Sequence, residues 1–149
     1  MAAGDIRATD NAYLTIGGTD VSAYVSAVNL QLTHPEVAAP HTFGQAGPLR
    51  AASRKYDYTL EVTFYTDAWG AASVDAIITA LMRPPLGSGT GLAAVVFGVD
   101  GSTASANNPH YKFGIVLSQW QPLGGGQVNE PVMQTRTYNG NGALAKATS

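Results

Sequence analysis

Residues 58–65 constrain this chain more than any other stretch, because their side chains sort into two faces without remainder. Tyr58, Leu60, Val62 and Phe64 form one set, and Thr59, Glu61, Thr63 and Tyr65 alternate with them. A period of two belongs to a strand, whose successive side chains point to opposite sides of the sheet. The segment therefore predicts a half-buried strand with one face in a core and the other in solvent or at a contact. A second run, residues 21–32, ends in the same way: Val28, Leu30 and Leu32 on one face, Ala27, Asn29 and Gln31 on the other. A third, residues 111–120, places Tyr111, Phe113, Ile115 and Leu117 together.

The remaining segments fit the same class. Residues 13–16 alternate and then meet Gly17-Gly18, a hairpin signal. Residues 93–99 read as a short apolar strand followed by the Asp100-Gly101 turn, a polar loop over 102–109, and His110 opening the next strand. Leu123-Gly124-Gly125-Gly126 reads as a turn before a last strand over 132–138, and Asn139-Gly140-Asn141-Gly142 leads into a polar C-terminal tail, residues 140–149. Helical periodicity occurs once. Val74, Ile77, Ile78 and Leu81 recur at i, i+3, i+4 and i+7, with Ser73 as N-cap and Asp75 in the first turn, where the helix dipole favours an anion. Pro84-Pro85 ends that helix, and residues 87–91, Gly-Ser-Gly-Thr-Gly, read as a flexible connection.

Between residues 33 and 57 the pattern breaks. Pro35, Pro40 and Pro48 with Gly44 and Gly47 argue against regular structure there, so a long loop is expected. It is locally basic, with His34, His41, Arg50, Arg54 and Lys55. Loops of this length are usually functional, or order only when bound. The whole predicts a mainly β chain: an antiparallel β-sandwich or partly open barrel of about six or seven strands with one flanking α-helix and a long loop. A single domain over 1–149 is expected, with a flexible N-terminal arm over 1–10.

Composition narrows the function classes. Charged residues make up 12%, about half the usual share, and neutral Ser, Thr, Asn and Gln outnumber them two to one. Such a surface is easily desolvated in a subunit contact. No apolar run reaches the roughly 18 residues of a membrane helix, and the N-terminus lacks the basic and apolar regions of a secretory signal. Without cysteine there are no disulfides, thiolate metal sites or Cys nucleophiles. Eight Lys and Arg against a net charge of −2 are too few for a dedicated nucleic-acid groove.

Catalytic constellations fail the same inspection. There is no G-x-S-x-G elbow, and residues 87–91 lack the Lys and spacing of a phosphate loop. His34, Glu36 and His41 are read as solvated loop residues, because Pro35 and Pro40 hold them extended rather than convergent. Glu61 is read as a solvated strand residue, and Trp69 and Trp120 as packing residues. No enzyme activity, cofactor or metal is expected.

Several segments, taken in order, carry a family resemblance. They are Asn11-Ala12-Tyr13-Leu14-Thr15-Ile16-Gly17-Gly18-Thr19-Asp20-Val21-Ser22, then Thr42-Phe43-Gly44 in the long loop, then Tyr58-Thr59-Leu60-Glu61-Val62-Thr63-Phe64 before the helix. Ser105-Ala106-Asn107-Asn108-Pro109-His110-Tyr111, Pro122-Leu123-Gly124-Gly125 and Gly142-Ala143-Leu144 follow. This ordered set resembles the major tail tube proteins of long-tailed, siphovirus-type bacteriophages, especially those of actinobacterial hosts. It spans roughly residues 11–149, and no single motif in it is specific. Two departures stand out: Val128-Asn129-Glu130 replaces the family's Val-Gly-Asp or Val-Gly-Glu, and the helix-to-strand linker is longer and richer in glycine.

The resemblance implies a virion structural protein that self-assembles into stacked hexameric rings, the tail tube through which the genome is ejected. Its partners would be further copies of itself, the tape-measure protein, tail terminator and tail-tip proteins, and phage DNA in transit without sequence-specific binding. It would be made and assembled in the host bacterial cytoplasm and reside in the virion tail. Under that reading the 33–57 loop reaches a neighbouring ring through Arg50, Arg54 and Lys55, and Asn29, Gln31, Thr59, Glu61 and Thr63 are candidates for the lumen wall. Outer surface or subunit contact is the alternative for those five. A head decoration or minor tail protein, or a carbohydrate-binding module, is the alternative for the chain.

Overall fold

The computed structural model describes residues 12–44, 46–66, 73–122 and 132–149. The expected N-terminal arm, Trp69, the glycine turn after Pro122 and the Val128-Asn129-Glu130 departure lie outside the described residues. In chain order the elements are β1 (Tyr13–Ile16), β2 (Thr19–Asp20), a 3₁₀ turn (Ser22–Tyr24), β3 (Val25–Thr33), β4 (Glu36–Ala38), β5 (Arg50–Ala52), β6 (Asp57–Thr66), α1 (Val74–Leu81), β7 (Leu92–Gly98), β8 (His110–Val116) and β9 (Val132–Ala147).

Every strand pairing is antiparallel, and seven strands join in the order β2-β1-β7-β8-β9-β6-β3. Among the described residues, β4 and β5 pair only with each other. The architecture is a β-sandwich rather than a closed barrel, since β2 and β3 end the strand order without meeting. β9 belongs to both layers: residues 132–139 pair with β6, and residues 140–147 with β8.

Why the layers close follows from the alternation. Leu60, Val62 and Phe64 of β6 are fully buried, and Tyr138 of β9 joins them. Leu14 and Ile16 of β1, Val95 of β7, and Phe113 and Ile115 of β8 form the opposing surface. Each such side chain contributes roughly 1.5–3 kcal/mol by leaving water. Trp120 meets Phe64 edge-on at 5.2 Å, and its indole N–H donates to Asp75 at 2.8 Å. Asp75 thus complements the helix dipole and also anchors α1 to the core, which places Val74 and Ile78 in it.

The helix begins where its cap is. Ser73 Oγ accepts from the Ala76 N–H at 3.2 Å. Ser73→Ala is expected to cost about 1 kcal/mol, read as a lower urea midpoint with unchanged slope. A cost near zero would mean that the cap is idle.

Tyr138 gives the fold a pH limit. Its buried hydroxyl donates to the Gln119 carbonyl at 3.2 Å. Burial pushes the phenol well above its ordinary value, and the Arg136 guanidinium offsets part of that. The unfolded chain releases this proton near pH 10 while the fold retains it, so stability is complete below about pH 10 and falls above it. The expected slope is about 1.4 kcal/mol per pH unit for one proton. Urea midpoints from about pH 9 to about pH 11 should show this fall and lose it in Tyr138→Phe.

Several expectations are corrected. The 33–57 segment carries regular structure, because β4 and β5 close a hairpin with Glu36 opposite Ala52 and Ala38 opposite Arg50. Its prolines lie outside the paired residues, so they frame the ladder rather than prevent it. Residues 140–149 are not a polar tail: β9 runs to Ala147, bonded along β8. Residues 87–91 are not a loose linker, since Gly89 and Gly91 N–H groups donate to the Met82 and Leu81 carbonyls at 3.0 Å each and cap the helix end. The run 21–32 is split by the 3₁₀ turn, and the strand expected over 111–120 ends at Val116. The described residues hold nine strands, not six or seven.

Candidate functional site

The five lumen candidates share one surface. Pairing of β3 with β6 sets Asn29 opposite Glu61 and Gln31 opposite Thr59. Pairing of β6 with β9 continues those rows to Thr137 and Asn139, and sets Thr63 opposite Thr135. The Thr63 and Thr135 hydroxyls bond at 2.9 Å. Asn29, Gln31 and Glu61 are exposed, and Thr59 and Thr63 are half-buried, on the side of the sheet away from Leu60, Val62 and Phe64.

The face carries Asp57 and Glu61 as its acids and no Lys or Arg among the paired residues that point outward. It runs about 27 Å along β6 and is three strands wide. Tyr65 and Met133, paired across β6 and β9, bound one end with exposed apolar surface. Met133, Thr135, Thr137 and Asn139 belong to this face, although no sequence pattern marks them. Their alternation is masked because the inward residues of that strand, Gln134 and Arg136, are themselves polar.

Those two residues lace the segment after β8 onto β9. The Gln134 amide donates to the Gln121 carbonyl at 2.9 Å and accepts from its N–H at 3.1 Å. Arg136 donates to Gln134 Oε1 at 3.1 Å and to Gln121 Oε1 at 2.7 Å. A side-chain amide here takes the place of a ladder partner, which keeps the polar groups satisfied beneath the outer face.

The three loop cations do not converge. Arg50 lies on β5, opposite Ala38, whereas Arg54 and Lys55 flank the base of the hairpin arm. That base is firmly held. His34, expected to be a solvated residue, uses Nδ1 toward the Ser53 carbonyl at 2.8 Å and the Lys55 carbonyl at 3.2 Å. Both partners only accept, so Nδ1 carries the hydrogen. Ser53 N–H donates to the Pro35 carbonyl at 2.7 Å, and the Leu144 N–H donates to the Tyr56 hydroxyl at 3.0 Å. Beyond the base the arm is bare: Val37, Phe43 and Leu49 are exposed, Phe43 completely.

Elsewhere, Asn108 is buried and donates to the Asp100 carboxylate at 2.8 Å, shaping the polar loop that leads to His110. Among the described residues no group of three or more His, Asp or Glu is placed to hold a metal, and no helix is long and apolar enough to cross a membrane. No protein-family model and no curated protein matches this sequence.

Proposed function

We propose that this chain is a virion structural protein that self-assembles into stacked hexameric rings forming a phage tail tube. The observation that carries the assembly reading is the arm. A two-stranded hairpin paired only with itself is marginal in water. This one also exposes Val37, Phe43 and Leu49. Apolar side chains held out on a firmly based arm call for a partner surface. The resemblance supplies the partner, copies of this chain, and the number six.

The outer face of β3, β6 and β9 supports the conduit reading. A wall that passes DNA must not hold it, and each cation would bind a phosphate. Hydroxyl and amide side chains with two carboxylates meet that requirement. The tape-measure protein would occupy the bore before the genome, and terminator and tip proteins would close the ends. The assembled protein would sit in the virion tail after synthesis in the host cytoplasm.

Electron microscopy of the purified protein, dilute and concentrated, tests the reading. Hollow tubes with six-fold rings are expected; persistent trimers would move the assignment to a head decoration protein. A second expectation concerns the face itself. Thr59→Arg should leave tube formation intact and make tubes retain short duplex DNA in low salt, releasing it as salt rises. Retention no greater than wild type would remove residue 59 from the lumen wall.

A further inference from the structure

The two ends of β3 are unlike. Past Thr33 the chain leaves into the arm. At the other end, Val25 and Val28 line a cavity of about 320 Å³ in the open seam between the layers. Leu14 of β1, Phe97 of β7, and Ser22 and Ser26 also line it. Phe43 is fully exposed, so it does not fill the cavity of its own chain.

We propose that this cavity is the seat for Phe43 of a second copy of the chain. The inference rests on the assembly reading above and names the contact that joins the copies. Size allows it, since a cavity of about 150 Å³ lined by apolar side chains accepts a benzene ring. Chemistry allows it, because a ring seated there packs against Leu14, Val25, Val28 and Phe97 on one part of the wall, with the Ser22 and Ser26 side chains forming the polar part.

Charge points the same way. Residues 12–28 and 92–111 contain no Lys or Arg. Asp20 sits beside the seat, its carboxylate accepting from the Ser22 hydroxyl at 2.6 Å, and Asp100 follows Val99, another lining residue. Arg50 lies on the arm, and Arg54 and Lys55 stand at its base, against the single carboxylate of Glu36. Their net positive charge favours the approach of this region to an acid-flanked seat, an attraction screened over about 8 Å in physiological salt.

Position gives the contact its consequence. The seat begins at Val28 and the arm departs after Thr33, about 17 Å further along the strand. Ten more residues separate Thr33 from Phe43, a reach of at most about 36 Å. A knob at one end and its socket at the other make a head-to-tail contact, which propagates or closes into a ring instead of pairing two copies about a dyad.

The chain has no cysteine, which gives a clean background for a crosslinking test. Two proteins are made, one Thr42→Cys, which keeps Phe43, and one Ser26→Cys, mixed at an assembling concentration and oxidised. A two-chain species linking positions 42 and 26, absent when either protein is oxidised alone, is expected. In parallel, Phe43→Ala should raise the concentration needed for assembly about tenfold or more without changing the urea midpoint of the dilute protein. Tubes that form with no link between the two positions, or Phe43→Ala assembling at the wild-type concentration, overturn the seat and leave the tube reading standing. Wild-type protein that stays monomeric at every concentration, with no crosslink, overturns both.

Discussion

Gly140→Ala is expected to cost about 3 kcal/mol of folding stability or more, a large effect for adding one methyl group. The reason lies where β9 passes from one layer of the sandwich to the other. A Cβ at residue 140 would lie against the Tyr58 ring, inside van der Waals contact. The ring cannot retreat. Tyr58 is buried, meets Phe113 edge-on at 5.6 Å, and stacks with Tyr56 at 6.2 Å. Its hydroxyl donates into a cluster of three carbonyls: Gly114 at 3.0 Å, and Asn141 and Gly142 at 3.1 Å each. The same ring therefore supports β6, the irregular pairing at Gly114 of β8, and the corner of β9, where Gly142 takes φ 84°. Displacing it to admit a methyl group loosens both layers at once.

Urea denaturation of the dilute protein measures the cost, and a double-mutant cycle assigns it. In a Tyr58→Leu background the ring is gone, and Gly140→Ala should then cost less than about 1 kcal/mol. An equal penalty in both backgrounds would show that the ring contact is not the cause.

The same corner explains what the sequence hid. β6 was legible because every inward residue is apolar and every outward one is not, and the burial of Tyr58, Leu60, Val62 and Phe64 follows that division. α1 was legible for the equivalent reason at a period of 3.6, down to the Ser73 cap. The C-terminal half of β9 was not. Asn139-Gly140-Asn141-Gly142 carries a turn signal, yet it is a strand that bends between layers, held by a tyrosine more than 80 residues earlier in the chain. The hairpin arm was hidden differently. β4 and β5 have three residues each and bury nothing, so no apolar period marks them. Among the candidate residues, the outward row of β6 was legible from alternation, but its continuation across β9 depends on register, which a single strand's pattern does not carry.

Replacing residues 36–52 with a short Gly-Ser link is expected to leave a folded protein that forms rings and no tubes. The monomer should lose little. Among the described residues, β4 and β5 bond to no other strand, and residues 36–52 contribute no member to the buried core. The anchors at the base remain: His34 to the carbonyls of Ser53 and Lys55, and the Leu144 N–H to the Tyr56 hydroxyl. Shortening the connection changes closure entropy by only about 1 kcal/mol, so the urea midpoint should barely move. Assembly should change far more, because Val37, Phe43 and Leu49 leave together. Contacts of this type are worth about 1–2 kcal/mol each when buried in an interface. Removing the set should weaken ring-to-ring association by at least about a hundredfold. Sedimentation velocity separates rings from tubes, and microscopy of the same samples shows which is present. Normal tubes from this variant would mean that the arm is not the stacking element. Loss of rings together with tubes would mean that it bonds neighbours within a ring, and the arm's partner would then lie beside the donor chain, not above it.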